Sequence, residues 1–154
     1  MRQKPIVAAT LVAGTLDIAS AVILTLLNGK SVAGMLQGVA SGPLGDWPRA
    51  NGWPGAAAGL AVHYAIMAAM VAVFAALAPR LPHLRARWPV YGIGYGVLLY
   101  LVMYWIVLPL RFAGAGAASG GVPGMLIPLA IHIVLVGLPI ALIIGRSGAP
   151  RSPE

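Results

Sequence analysis

The stretch Ala56–Ala78, AAAGLAVHYAIMAAMVAVFAALA, runs for twenty-three residues without an Asp, Glu, Lys or Arg. A helix of that length rises about 34 Å, enough to cross the ~30 Å hydrocarbon layer of a bilayer. An isolated strand in lipid leaves its backbone groups unpaired, so helix is the state that satisfies this segment. Three further runs have the same character: Ile6–Leu27, Pro89–Leu110 and Met125–Gly145. The fold class that follows is all-α, a polytopic membrane protein in which residues 1–154 form one domain of four transmembrane helices.

Composition supports that reading. Hydrophobic residues make up 60% of the chain and charged residues 8%, with a mean hydropathy of +0.90. A soluble domain carries roughly a quarter charged residues, so the exterior of this chain has to face lipid. The net charge of +7 does not point to nucleic acid, because the basic residues sit in short segments between apolar runs and form no basic helix. Cysteine is absent, which excludes disulfides, iron–sulfur clusters and thiolate metal sites. Any metal or haem would need His, Met, Tyr or carboxylate ligands.

At the N-terminus, Arg2 and Lys4 precede the apolar run, and Ala19-Ser20-Ala21 resembles a signal-peptidase site. The run continues through Val22, Ile23, Leu24, Leu26 and Leu27, so the expectation is a retained first helix. Prolines punctuate the spans: Pro5, Pro54, Pro79, Pro89 and Pro109 mark ends, while Pro128 and Pro139 fall inside the fourth span and predict a kink.

Orientation follows from Lys and Arg. Seven lie in the N-terminus (Arg2, Lys4), the second connection (Arg80, Arg85, Arg87) and the tail (Arg146, Arg151); three, Lys30, Arg49 and Arg111, lie in the first and third connections. The positive-inside rule then predicts a bacterial inner membrane protein with both termini cytoplasmic. In the long first connection, Val32, Met35, Leu36 and Val39 recur at helical spacing, with Ser31 as N-cap and Gly42 past the end. That predicts a short amphipathic helix in the outer interface, or a re-entrant plug, followed by Trp47 and Trp53 at headgroup depth. The third connection, Phe112–Gly124, is rich in Gly and Ala and reads as flexible.

Leu60-Ala61-Val62-His63 in the second span matches Leu129-Ala130-Ile131-His132 in the fourth, and each His stands seven residues beyond the start of its run. Two tandem hairpin repeats would produce that match. Asp17 is the one acidic residue within a span, and a charge at that depth costs several kcal/mol unless paired or hydrated. Its face, Thr10, Gly14, Asp17, Ser20, Ala21 and Asn28, is small or polar and should turn inward. It reads either as a packing hydrogen bond or as a handler of protons or cations. His63, His132 and Tyr104 should meet at one buried polar site near the outer leaflet, with Asp17 about 5 Å deeper. That site is either a clasp between helices or, with His63 and His132 as axial ligands, a b-type haem site; a metal-ion site is disfavoured by the single carboxylate.

Gly55-Ala56-Ala57-Ala58-Gly59 and Gly92–Gly96 are small-xxx-small patterns that favour close helix contacts, within the bundle or between subunits. Tyr91, Tyr95 and Tyr100 read as packing residues, Met67, Met70 and Met103 as gap fillers, and His83 as a solvated loop residue. No nucleophile elbow, phosphate-binding loop, catalytic carboxylate pair or HExxH is present, so no catalytic residue is named.

Gly14–Ala19, Met35–Gly45, Met103–Leu110, Ile131-His132 and Val136–Ala141 together resemble a group of small, uncharacterised bacterial inner-membrane proteins of the YagU-like type. The resemblance implies four helices and an inner-membrane location and brings no activity with it. The expected function is a non-enzymatic membrane protein conducting a small solute, protons or ions, as a homo-oligomer or within a larger complex. The alternatives are a haem-binding electron-transfer protein and an accessory subunit of a membrane complex.

Overall fold

The computed structural model describes residues 3–112, 114 and 121–147, and these contain helices and no strand. The order is α1 (Gln3–Leu27), α2 (Val32–Leu44), α3 (Trp47–Ala50), α4 (Gly52–Leu77, closed by a 3-10 turn Ala78–Arg80), α5 (Leu84–Arg111) and α6 (Gly121–Ser147). Most of the third connection, together with Arg2 and Arg151, lies outside the described residues.

α1, α4, α5 and α6 are the four helices long and apolar enough to cross a membrane, and only 22–28% of the most apolar window of each is buried within the chain. Leu11, Ile23, Val73, Val90, Trp105 and Val134 all stand exposed on the outside of the bundle. Water would leave that apolar surface unfavourably hydrated.

The spans start sooner than their apolar runs. α4 opens at Gly52 and α6 at Gly121, one helical turn before Ala56 and Met125. In α4 that first turn holds Pro54, where a missing N–H costs nothing because first-turn N–H groups have no helical partner. α5 opens at Leu84, so Pro89 is internal; it does not start the helix as expected. The chain bends at Arg87 (φ −107, ψ 21) to admit the proline. Pro109 likewise does not end its span.

Two spans widen into a π turn, Val102–Val107 in α5 and His132–Gly137 in α6. In each, an N–H one position beyond the usual i→i−4 partner closes a wider ring: Leu108 donates to Met103, and Leu138 to Ile133. The next residues are Pro109 and Pro139. A proline has no N–H and its ring crowds the carbonyl four residues back, so the helix takes up an extra residue just ahead of it. The distortion expected from Pro139 is thus a π turn, and α5 carries its twin.

α1 packs on α4, α5 on α6, and α1 also on α6. The core is Ala9, Ala13, Val71, Phe74, Val136 and Ile140, each at most 2% exposed. Both small-xxx-small patterns are contacts within the chain. A side chain at Gly92 or Gly96 would collide with the α6 backbone at Leu138 or at His132–Ile133, and one at Gly55 or Gly59 would collide with the backbone at Pro48 or Leu36. Tyr95 Oη donates to the Met70 carbonyl at 2.6 Å and its ring tilts on Phe74, closing α5 onto α4.

α2 forms as its sequence pattern predicts, with the Ser31 hydroxyl accepting from Gly34 N–H at 3.2 Å. It runs beyond Gly42 to Leu44, and Gly45 (φ 65) is the residue that leaves the helix. α2 lies against α4, where Gln37 donates to the Gly52 carbonyl. At its far end Arg111 of α5 donates to the Gly42 and Ser41 carbonyls, at 2.5 and 2.8 Å. The helix therefore spans from α4 to α5 across one end of the bundle, and a side chain ties it down at each side.

Candidate functional site

α1, α4, α5 and α6 bring Asp17, His63, Tyr104 and His132 to one cavity of about 250 Å3, with Met35 and Val39 of α2 in its wall. The polar residues named from the sequence therefore converge.

The geometry around His63 is decided by an acceptor. Its Nε2 lies 2.9 Å from the Gly14 carbonyl oxygen. A carbonyl only accepts, so Nε2 must carry hydrogen. Gly14 allows this approach, since a Cβ there would sit 2.8 Å from the Tyr64 ring. The other nitrogen, Nδ1, lies 3.9 Å from Asp17 Oδ2. That is beyond a direct hydrogen bond and within the reach of an ion pair. One proton accounts for both states of the pair: on Nδ1 it makes an imidazolium facing a carboxylate, and on Asp17 it makes a carboxylic acid facing a neutral imidazole. His63 is buried, at 9% exposure, so Asp17 is the charge partner that lipid does not supply.

His132 is held differently. Its Nδ1 donates to the Pro128 carbonyl of its own helix at 2.9 Å. Its ring meets Tyr104 edge-on at 5.7 Å and Tyr100 at 6.2 Å, and the two tyrosine rings stack at 5.2 Å. Tyr104 lies within one π turn and His132 opens the other, so both are carried where the helices depart from regular geometry, as side chains at functional sites often are.

Several expectations change. Asp17 is level with His63 and not a turn deeper. With α4 starting at Gly52, His63 stands about 16 Å from its helix start and Asp17 about 15 Å from the matching end of α1. The site accordingly lies toward the middle of the spans. The matching tetrads keep their equal offsets, since α4 and α6 both lengthen by one turn, but the likeness ends there: α4 stays regular at His63 while α6 widens at His132. Asn28 is also exposed, its side chain bonded to the Leu24 carbonyl, so the inward face of α1 ends before it.

The cavity does not fit a haem held by two imidazoles. His63 Nδ1 and His132 Nε2 are each left off the backbone carbonyls, but about 250 Å3 falls below the roughly 300–1,000 Å3 of sites that hold drug-sized ligands, and a porphyrin is larger than most of those. Among the described residues no group of three or more His, Cys, Asp or Glu is placed to hold a metal ion.

Sequence reading passed over three participants. Gly14 supplies the carbonyl that sets the His63 tautomer, Tyr100 completes the aromatic stack, and Tyr64 bonds Thr15 at 2.8 Å beside it. Gly14, within the inward face of α1, and Tyr100, which reads as a packing residue, carried some signal; Tyr64 carried none.

Fold and site together define a four-helix chain of the multi-pass membrane class, with a polar cluster enclosed by its spans. No family model, curated protein or solved structure matches this chain.

Proposed function

We propose that the chain is a proton-coupled membrane transport protein in which Asp17 and His63 bind and release one proton. The observation that carries this reading is the His63 ring, fixed on the Gly14 carbonyl through Nε2 and left with Nδ1 facing Asp17 in a small cavity. A clasp that only joined helices would be satisfied by the Gly14 bond; the carboxylate adds a second protonation site at a depth where a charge is costly.

The packing favours a coupled carrier over an open proton pore. Between the cavity and the end bearing Lys4, Arg80 and Arg146, the side chains of Ala13, Val71, Phe74 and Ile140 pack with at most 2% exposure. A proton released from Asp17 on that side needs the bundle to rearrange, which is the requirement of alternating access. The positive-inside rule assigns that end to the cytoplasm.

The test is flux in proteoliposomes under an imposed pH gradient, with a panel of small polar and cationic solutes. Wild-type protein should show pH-driven solute movement or proton uptake, and Asp17→Asn should lose it while keeping its helical circular dichroism and elution volume. Wild-type vesicles indistinguishable from empty ones would exclude the proposal.

A further inference from the structure

A second cavity opens between α4 and α5 beneath α2. It is apolar, about 1010 Å3 in volume, and is walled by Val62 and Ala69 of α4, Met103 and Val107 of α5, and Gly38 and Gly42 of α2. Cavities of roughly 300–1,000 Å3 accept drug-sized apolar molecules, so this one has room for a hydrocarbon chain. Arg49 and Arg111 also border it, and both are exposed. Among the described residues neither arginine has a carboxylate within salt-bridge distance. Arg111 spends Nε and one Nη on the α2 carbonyls, which fixes its guanidinium at the rim. Arg49 stands on α3 between Trp47 and Trp53, which are 49% and 78% exposed. Tryptophans at that exposure on a membrane protein belong at headgroup level. The groove is thus apolar along its length and cationic where phosphates would lie.

We infer that this groove holds one acyl chain of an anionic phospholipid, with Arg49 and Arg111 on its phosphate. The charge selects the occupant: a zwitterionic lipid fills the groove equally well but brings a cation of its own to the arginines. A second copy of this chain is disfavoured by the same rim, since its matching surface is equally basic. The groove shares the wall residues Val39, Ile66, Met103 and Leu108 with the cavity of the proton pair, but its assignment does not depend on the transport reading.

The test is native mass spectrometry of the detergent-purified, delipidated chain, titrated with phosphatidylglycerol or with phosphatidylcholine of identical acyl chains. One phosphatidylglycerol per chain should bind, about fivefold or more tighter than phosphatidylcholine, the scale expected for one basic side chain at an anionic membrane surface. Arg49→Gln should remove most of that preference and leave chain occupancy. Gly38→Leu should abolish tight binding of both lipids. A side chain at Gly38 meets nothing within 4 Å, so it fills the groove without disturbing the fold, which circular dichroism verifies. Equal affinity for the two lipids, or tight binding that survives Gly38→Leu, would overturn the assignment; so would competition by inorganic phosphate alone, which would mean that the groove takes no part.

Discussion

At the scale of single residues, the chain concentrates its polar chemistry on one carbonyl. Gly14 accepts from His63 because it lacks a side chain, and the tautomer so imposed points Nδ1 at Asp17. Asp17 and His63 could be singled out from sequence because a polar group in lipid must have a partner. The Gly14 bond could not, since it depends on the rotation of α1 against α4. Gly14→Ala should push Tyr64 and Met67 aside and lift His63 off the carbonyl, costing about 1–3 kcal/mol in reversible unfolding, the usual range for overpacking. His63→Ala should cost about 2–4 kcal/mol, from a cavity and a lost buried hydrogen bond. Both variants are measured by thermal or denaturant unfolding in detergent; losses near zero would mean that His63 is not held as described.

At the scale of elements, the prolines were visible and their consequences were not. Pro89 and Pro109 read as helix ends because proline usually terminates a helix in water. Inside a span the backbone has no water to bond, so a helix that bends or widens and continues costs less than one that stops. That is why a kink at Arg87 and a π turn at Val102–Val107 stand where ends were expected. The glycine patterns were legible for the opposite reason, since small residues four apart have few uses besides close approach. Gly96→Leu should separate α5 from α6, because its side chain would enter the His132–Ile133 backbone. The expected result is a loss of about 3 kcal/mol or more, or no folded protein, since backbone on both sides leaves little room to relax. Gly94→Leu, with nothing within 4 Å, should be tolerated and serves as its control. Similar stability in the two variants would contradict the α5–α6 contact.

At the scale of the whole molecule, four spans and a packed layer of core residues make a bundle whose polar cavity lies toward the middle of the spans and is closed off on the side of Lys4, Arg80 and Arg146. The number of spans was readable from apolar length alone; the cavities were not, because they arise where π turns and α2 hold neighbouring helices apart. Reporter fusions after Arg85 and at Glu154 should share one side of the membrane, the cytoplasm, with a fusion after Asp46 on the other; an outside C-terminus would contradict the orientation drawn from Lys and Arg. Nitrogen-15 NMR of the histidine rings in lipid bilayers tests most directly the proposed pairing of His63 with Asp17. His63 should carry hydrogen on Nε2, and its Nδ1 resonance should move in Asp17→Asn. A His63 carrying hydrogen only on Nδ1, or an Nδ1 resonance that Asp17→Asn leaves untouched, would contradict it.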